Sequence, residues 1–149
     1  MKKFFTLLTL VGIMSASCQA AQKVDEFTTK SGKKVTITCI KHASMEINYN
    51  GVEIQVDPVG MWLKPETDYA TFPKANIILI THEHKDHFDR EAIHQIRTPA
   101  TSIYVNNAMF GHFKNGLVMK NGDKVQYADD ISIERSRSEE RRVGKECRS

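Results

Sequence analysis

"IILITHEHKDHF", residues 77–88, runs four apolar residues and a threonine into three histidines and an aspartate. Residues 75–80 read as a strand buried on both faces of a parallel sheet, because Ile77, Ile78, Leu79 and Ile80 do not alternate with polar residues. Thr81 follows, then His82, Glu83, His84, Lys85, Asp86 and His87. Apolar runs ordinarily end in turn formers, whereas this one ends in metal-seeking side chains. Imidazole nitrogen and carboxylate oxygen are standard ligands for Zn2+ and similar divalent ions. Two histidines spaced by two can converge on one ion from an extended or looping backbone. Asp86 and His87, adjacent on the turn, can face a second. A loop leaving a buried strand also holds such side chains rigidly. A closed structural zinc site would favour cysteines, and the chain has no CxxC pair. Glu83 and Lys85 are expected to point to solvent, and the spacing of His94 and His112 ties neither to the cluster.

Upstream, residues 35–41 alternate apolar and polar as a half-buried strand does, and Met45, Ile47 and Tyr49 continue the alternation. Asn50-Gly51 is a hairpin turn signal, because both residues tolerate positive φ. Val52, Ile54 and Val56 form the returning strand, which ends at Asp57-Pro58, so the chain is expected to open with a β-meander. Residues 59–74 read as a loop broken by Pro65 and Pro73. Met61, Trp62 and Leu63 make an apolar patch within it, and Trp62 reads as a plug for the core in preference to a lid over a pocket. Downstream, Asp89 caps a helix over 90–97 with Ala92, Ile93 and Ile96 inward, and Thr98-Pro99 stops it. A strand over 102–105 and a helical turn over 108–113 follow. Residues 117–119, Asn121-Gly122, 124–127 and 131–134 suggest a further meander. The whole is an α/β (α+β) pattern with a mixed sheet.

The ends differ from this body. Lys2 and Lys3 precede an apolar stretch over residues 4–14 and a small-residue processing site, so residues 1–20 read as a signal peptide. That stretch is well short of the roughly 20 residues that span a bilayer, so no membrane span is expected. Export to the periplasm or medium follows, with cleavage after Ala20 favoured over a lipid-anchored form through Cys18. Residues 135–149, "RSRSEERRVGKECRS", lose the alternation and read as a non-native or disordered tail. Residues 21–134 are then the folded unit, one domain in size. They hold 13 basic and 15 acidic side chains, a net charge of −2, although the full chain carries +3. Without a basic stripe, nucleic-acid binding has no electrostatic footing. Cys39 lies within an alternating run and is expected as a buried free thiol, and its separation from Cys147 implies no disulfide.

His82-x-His84-x-Asp86-His87 after a hydrophobic strand resembles the signature of the metallo-β-lactamase superfamily of hydrolases. "IKHASMEINYNGVEIQVDP", residues 40–58, resembles the opening strands of its branch of ascorbate-phosphate lactonase-like proteins, with His42-Ala43 and Asp57-Pro58 at matching positions. The resemblance covers residues 35 to about 134. It implies the first half of an αββα sandwich and a mono- or dinuclear centre, with one or two Zn2+ ions or Mn2+, that activates a water. His82 and His84 would bind the first metal, Asp86 and His87 the second, and Asp86 would also orient the nucleophile and accept its proton. Asp57 is either a partner that fixes a ligand histidine or a strand-end turn former, and His42 is either a pocket residue or a structural histidine.

The implied reaction is hydrolysis of a small-molecule ester, lactone, amide or phosphoester; no oligomeric state is implied. A complete family member adds a histidine, a bridging aspartate and a final histidine from its second half, and no histidine follows Glu134 here. The chain is therefore expected to be a fragment of a metal-dependent hydrolase, itself inactive. The alternative is a non-catalytic metal-binding fragment with an incomplete site. With the second sheet missing, one face of the first is expected to stay exposed.

Overall fold

The computed structural model describes residues 22–113 and 115–136. The signal-like segment 1–20 and the tail beyond residue 136 lie outside the described residues. One sheet takes its strands in chain order: β1 (Lys23–Thr28), β2 (Lys34–Lys41), β3 (Ser44–Tyr49), β4 (Val52–Val56), β5 (Ile77–Leu79), β6 (Ser102–Val105) and β7 (Leu117–Val118). β1 to β4 pair antiparallel through short turns, and β4 to β7 pair parallel. At the Asn50-Gly51 turn both residues take positive φ, 49° and 90°, as the dipeptide requires. β8 (Lys124–Ala128) and β9 (Ile131–Glu134) form a separate antiparallel hairpin.

Parallel neighbours need crossovers, and these supply the helical layer. A 3₁₀ turn, Tyr69–Thr71, lies between β4 and β5, helix α1 (Arg90–Ile96) between β5 and β6, and a 3₁₀ segment, Asn107–His112, between β6 and β7. All three pack on one sheet face, where Tyr69, Ile93, Ile96 and Met109 meet Ile78, Ile80, Ile103 and Val105. On the other face Ile77, Tyr104 and Met119 are buried, with Val125, Tyr127, Ile131 and Ile133 of the β8–β9 hairpin packed against them. Ile77 and Ile78 are therefore both fully buried, on opposite faces, which is why this strand does not alternate.

Asp89 caps α1 as expected. Its Oδ1 accepts from the backbone N–H of Glu91 at 2.9 Å and of Ala92 at 3.4 Å. Its Oδ2 accepts from the N–H of Gly60 at 3.0 Å, which pins the β4–β5 loop to the helix. A Cβ at Gly60 would stand 3.0 Å from the carbonyl of Thr67 and 3.4 Å from Asp89 Oδ2, so a side chain there would push the loop outward by a few tenths of an ångström.

The fold class is the one expected, a mixed sheet opening with a meander, and the details correct several expectations. β1 extends the meander by a strand that the sequence reading did not include. All six of its residues are exposed, so no burial imprints an apolar pattern on it. β7 does not join a meander with β8; it adds a parallel edge to the main sheet. Cys39 is exposed, because alternation along β2 turns it to the face opposite Thr38 and Ile40, where none of the described residues covers it. Trp62 is no plug, being exposed on the β4–β5 loop. The sheet face opposite the helices is not wholly open, since the β8–β9 hairpin lies across its parallel half. Asp130 at the hairpin's turn accepts from Tyr49 Oη at 2.6 Å and pairs with Lys33. Ile37, Met45, Ile47 and Val56 remain half-buried. Among the described residues no helix is long and apolar enough to cross a membrane.

Candidate metal centre

Three segments end at the same edge of the sheet. β2 runs in the direction of β4, because two antiparallel reversals separate them, and β5 is parallel to β4. The turn after β2 carries His42, the residue after β4 is Asp57, and the loop after β5 is residues 81–87. His42 and Asp57 both take left-handed backbone conformations, with φ of 46° and 42°. Such conformations cost non-glycine residues about 1–3 kcal/mol and persist where surrounding contacts hold them.

Those contacts are visible at Asp57, which is buried to 1% exposure. Its backbone N–H donates to the Leu79 carbonyl at 2.9 Å, and its own carbonyl accepts from Ser44 Oγ at 2.6 Å. Its Oδ1 accepts from the N–H of Thr81 at 2.8 Å, and its Oδ2 from Thr81 Oγ1 at 2.7 Å. Oδ2 also lies 2.7 Å from His87 Nδ1. A carboxylate can only accept, so His87 Nδ1 donates and the lone pair of its Nε2 is left free. Asp57 thus ends a strand and orients a histidine at once.

The freed His87 Nε2 faces Asp86 Oδ2 at 3.7 Å, and His42 Nε2 lies 3.2 Å from the same oxygen. His42, Asp86 and His87 each place a donor atom within 4.8 Å of the others. The Asp86 carboxyl is held below the ordinary aspartate range by its own backbone N–H first, and then by the His87 and His42 imidazoles. The His82 ring lies tilted against His87 with centroids 3.9 Å apart, and the His84 ring meets His82 edge-on at 4.7 Å. His82 Nδ1 shares a hydrogen bond with Thr81 Oγ1 at 3.0 Å. Of the residues singled out in the sequence, Asp57, His42, Asp86 and His87 form one connected group, with His82 tilted against it and His84 edge-on to His82. The tightest triad includes His42 and leaves out His82 and His84.

This donor set fits a divalent cation. Imidazole nitrogens and a carboxylate oxygen pointed at one another repel unless a cation or a proton lies between them, and a carboxylate behind His87 is the usual support of a ligating histidine. A cleft of about 740 Å³ opens beside the cluster, lined by Thr81, His82, Glu83, His84 and His87 together with Asn121 and Arg135. Arg135 donates from Nη2 to the Thr81 carbonyl at 3.2 Å. Asn121 and Arg135 carried no ligand-type signal in the sequence, and only the placement of the β8–β9 hairpin brings them here. Glu83 is exposed and accepts from the Asn106 amide at 3.1 Å, which lowers its pKa. His112 meets Phe88 edge-on beside α1, apart from this group.

A profile of the beta-lactamase superfamily domain matches residues 36–149. A crystal structure from Parabacteroides distasonis, assigned as a metal-dependent hydrolase, superposes with a TM-score of 0.69 at 46% identity. It covers 76% of this chain, and the chain spans 50% of that protein's length. A metallo hydrolase from the hyperthermophilic archaeon Ignicoccus hospitalis superposes with a TM-score of 0.51 at 20% identity over 62% of this chain and 42% of its own, a likeness of fold. No curated protein matches the chain.

Proposed function

This chain belongs to the beta-lactamase superfamily, and from that premise we propose that it carries the first half of a hydrolase's metal centre, for a small-molecule ester, lactone, amide or phosphoester. The observation that carries this reading is the convergence of His42, Asp86 and His87, with Asp57 fixing the His87 ring from behind. His82, His84, Asp86 and His87 would hold one or two ions, Zn2+ or Mn2+, and His42 stands close enough to join them. A divalent ion bound there supplies Lewis acidity, which can lower the pKa of water from about 15.7 to near 7.

The protein's own groups have distinct parts. Asp57 accepts the Nδ1 proton of His87 and so keeps Nε2 available. Asp86, ionised at neutral pH, would orient the attacking water and accept its proton through its carboxylate. Thr81 bonds to both Asp57 oxygens and locks the strand end that aims the loop. The family resemblance adds a histidine, a bridging aspartate and a final histidine from a second half. The 149-residue chain by itself is therefore expected to bind metal without turnover. Residues 1–20 support export to the periplasm or the medium.

The test is a chimera in which residues 22–134 replace the corresponding half of the Parabacteroides distasonis protein. Assayed with Zn2+ or Mn2+ against chromogenic esters, lactones, amides and phosphoesters, it should hydrolyse at least one class. That activity should vanish with chelator and with His84→Ala. A folded, metal-loaded chimera inert to all four classes overturns the hydrolase reading.

A further inference from the structure

The β4–β5 loop beside the metal centre is pinned, yet it presents its largest apolar side chains to solvent. Lys41 Nζ donates to the carbonyls of Leu63 and Pro65, each at 2.9 Å, and to that of Gly60. The Gly60 carbonyl also accepts from the Thr67 N–H at 3.2 Å, and Asp89 holds the Gly60 N–H. Met61 and Trp62, at the tip of this closed loop, are 61% and 62% exposed. Single exposed apolar residues are ordinary on protein surfaces. Two adjacent ones on a backbone fastened at both flanks are preorganised for contact, since the ordering cost of a binding loop has already been met.

The loop also faces the metal-binding segment. Lys85 Nζ stands 5.4 Å from the centroid of the Trp62 ring, within cation–π range. Lys85 lies between His84 and Asp86 in the chain, so the indole stands beside the loop that carries the cluster. An apolar ring and a cation side by side match an apolar group that bears an anion.

We propose that Trp62, Met61 and Lys85 form a substrate subsite at the rim of the metal centre, for an acyl or aromatic group carrying an anionic substituent. The word substrate rests on the hydrolase reading above; the binding does not. The chain contains one tryptophan, so its emission reports the subsite directly.

The 149-residue chain is titrated with butyrate, hexanoate and octanoate while Trp62 emission is followed. The emission should shift to the blue, and affinity should rise roughly two- to fourfold per added methylene, the upper figure being full burial. Lys85→Met, with its fold checked by circular dichroism, should lose the preference for hexanoate over 1-hexanol. Unaltered emission at millimolar octanoate, equal affinity along the series, or an intact preference in Lys85→Met overturns the subsite. A shift with phosphatidylglycerol vesicles but none with the carboxylates also overturns it and assigns the loop to a lipid surface. Carboxylate binding that fails while metal binding persists removes the subsite alone, and the reverse result removes the metal centre alone.

Discussion

Replacing Asp57 with Asn tests the link between backbone strain, tautomer and metal affinity. The substitution keeps the shape of the side chain, and its remaining carbonyl oxygen still accepts from the Thr81 N–H, now at 2.8 Å. The other oxygen becomes an NH2 group, which cannot accept from Thr81 Oγ1 or His87 Nδ1, both 2.7 Å away. Each hydrogen bond to a charged group contributes about 1.5–3 kcal/mol, and relief from desolvating a buried carboxylate offsets part of the loss. A net destabilisation of about 2 kcal/mol is expected from urea unfolding. The His87 ring should change tautomer, with Nδ1 accepting from the new amide and Nε2 carrying the proton toward Asp86. Zn2+ affinity, measured by competition with a chromogenic chelator at pH 7.5, should then fall about 10- to 100-fold, or about 1.4–2.7 kcal/mol. A folded Asp57→Asn protein that binds Zn2+ within twofold of the parent would refute the reasoning.

Other substitutions probe the frame around the site. Burial pushes the Glu46 carboxyl up to about 7, aided by a hydrogen bond with Glu53 and by its charge. A folded-state pKa above the unfolded value means stability that is full below about pH 4.5 and lost as pH rises through 7. Solvent screening at this half-exposed site limits the effect to about 1 kcal/mol, and Glu46→Gln should flatten the decline of urea stability between pH 5 and 8. Ile78→Ala empties a fully buried position between the sheet and α1. It should cost about 2–5 kcal/mol by the same assay, and a loss under 1 kcal/mol would contradict the packing described. Lys41→Met releases three loop carbonyls and should lower the fluorescence anisotropy of Trp62, with about 1–3 kcal/mol lost in stability.

The strands with half-buried or buried patterns were legible in the sequence because burial writes period two, or an unbroken apolar run, into the residues. The hairpin over residues 35–56, the continuous run at Ile77–Leu79 and the Asp89 cap were readable on that ground. β1 was not, since every residue of it is exposed. Cys39 and Trp62 were misread for a related reason: composition marks a residue as apolar, but only tertiary contact decides whether something covers it. The β8–β9 hairpin was readable as strands, whereas its position across Ile77 and Tyr104 depends on contacts distant in sequence. At the site, the histidine spacing named the loop. It did not show that the turn after β2 would bring His42 to within 3.2 Å of Asp86, because that depends on strand direction across three pairings. Asp57 was open between turn former and histidine partner, and its geometry serves both.

The central claim is that the loop after β5 holds metal through its own side chains. Elemental analysis of the purified chain after loading with Zn2+ or Mn2+ and exhaustive desalting measures it most directly. One or two equivalents of metal are predicted in the parent chain, with at least one lost in His84→Ala and in His87→Ala. Metal content unchanged in both folded variants would contradict the account.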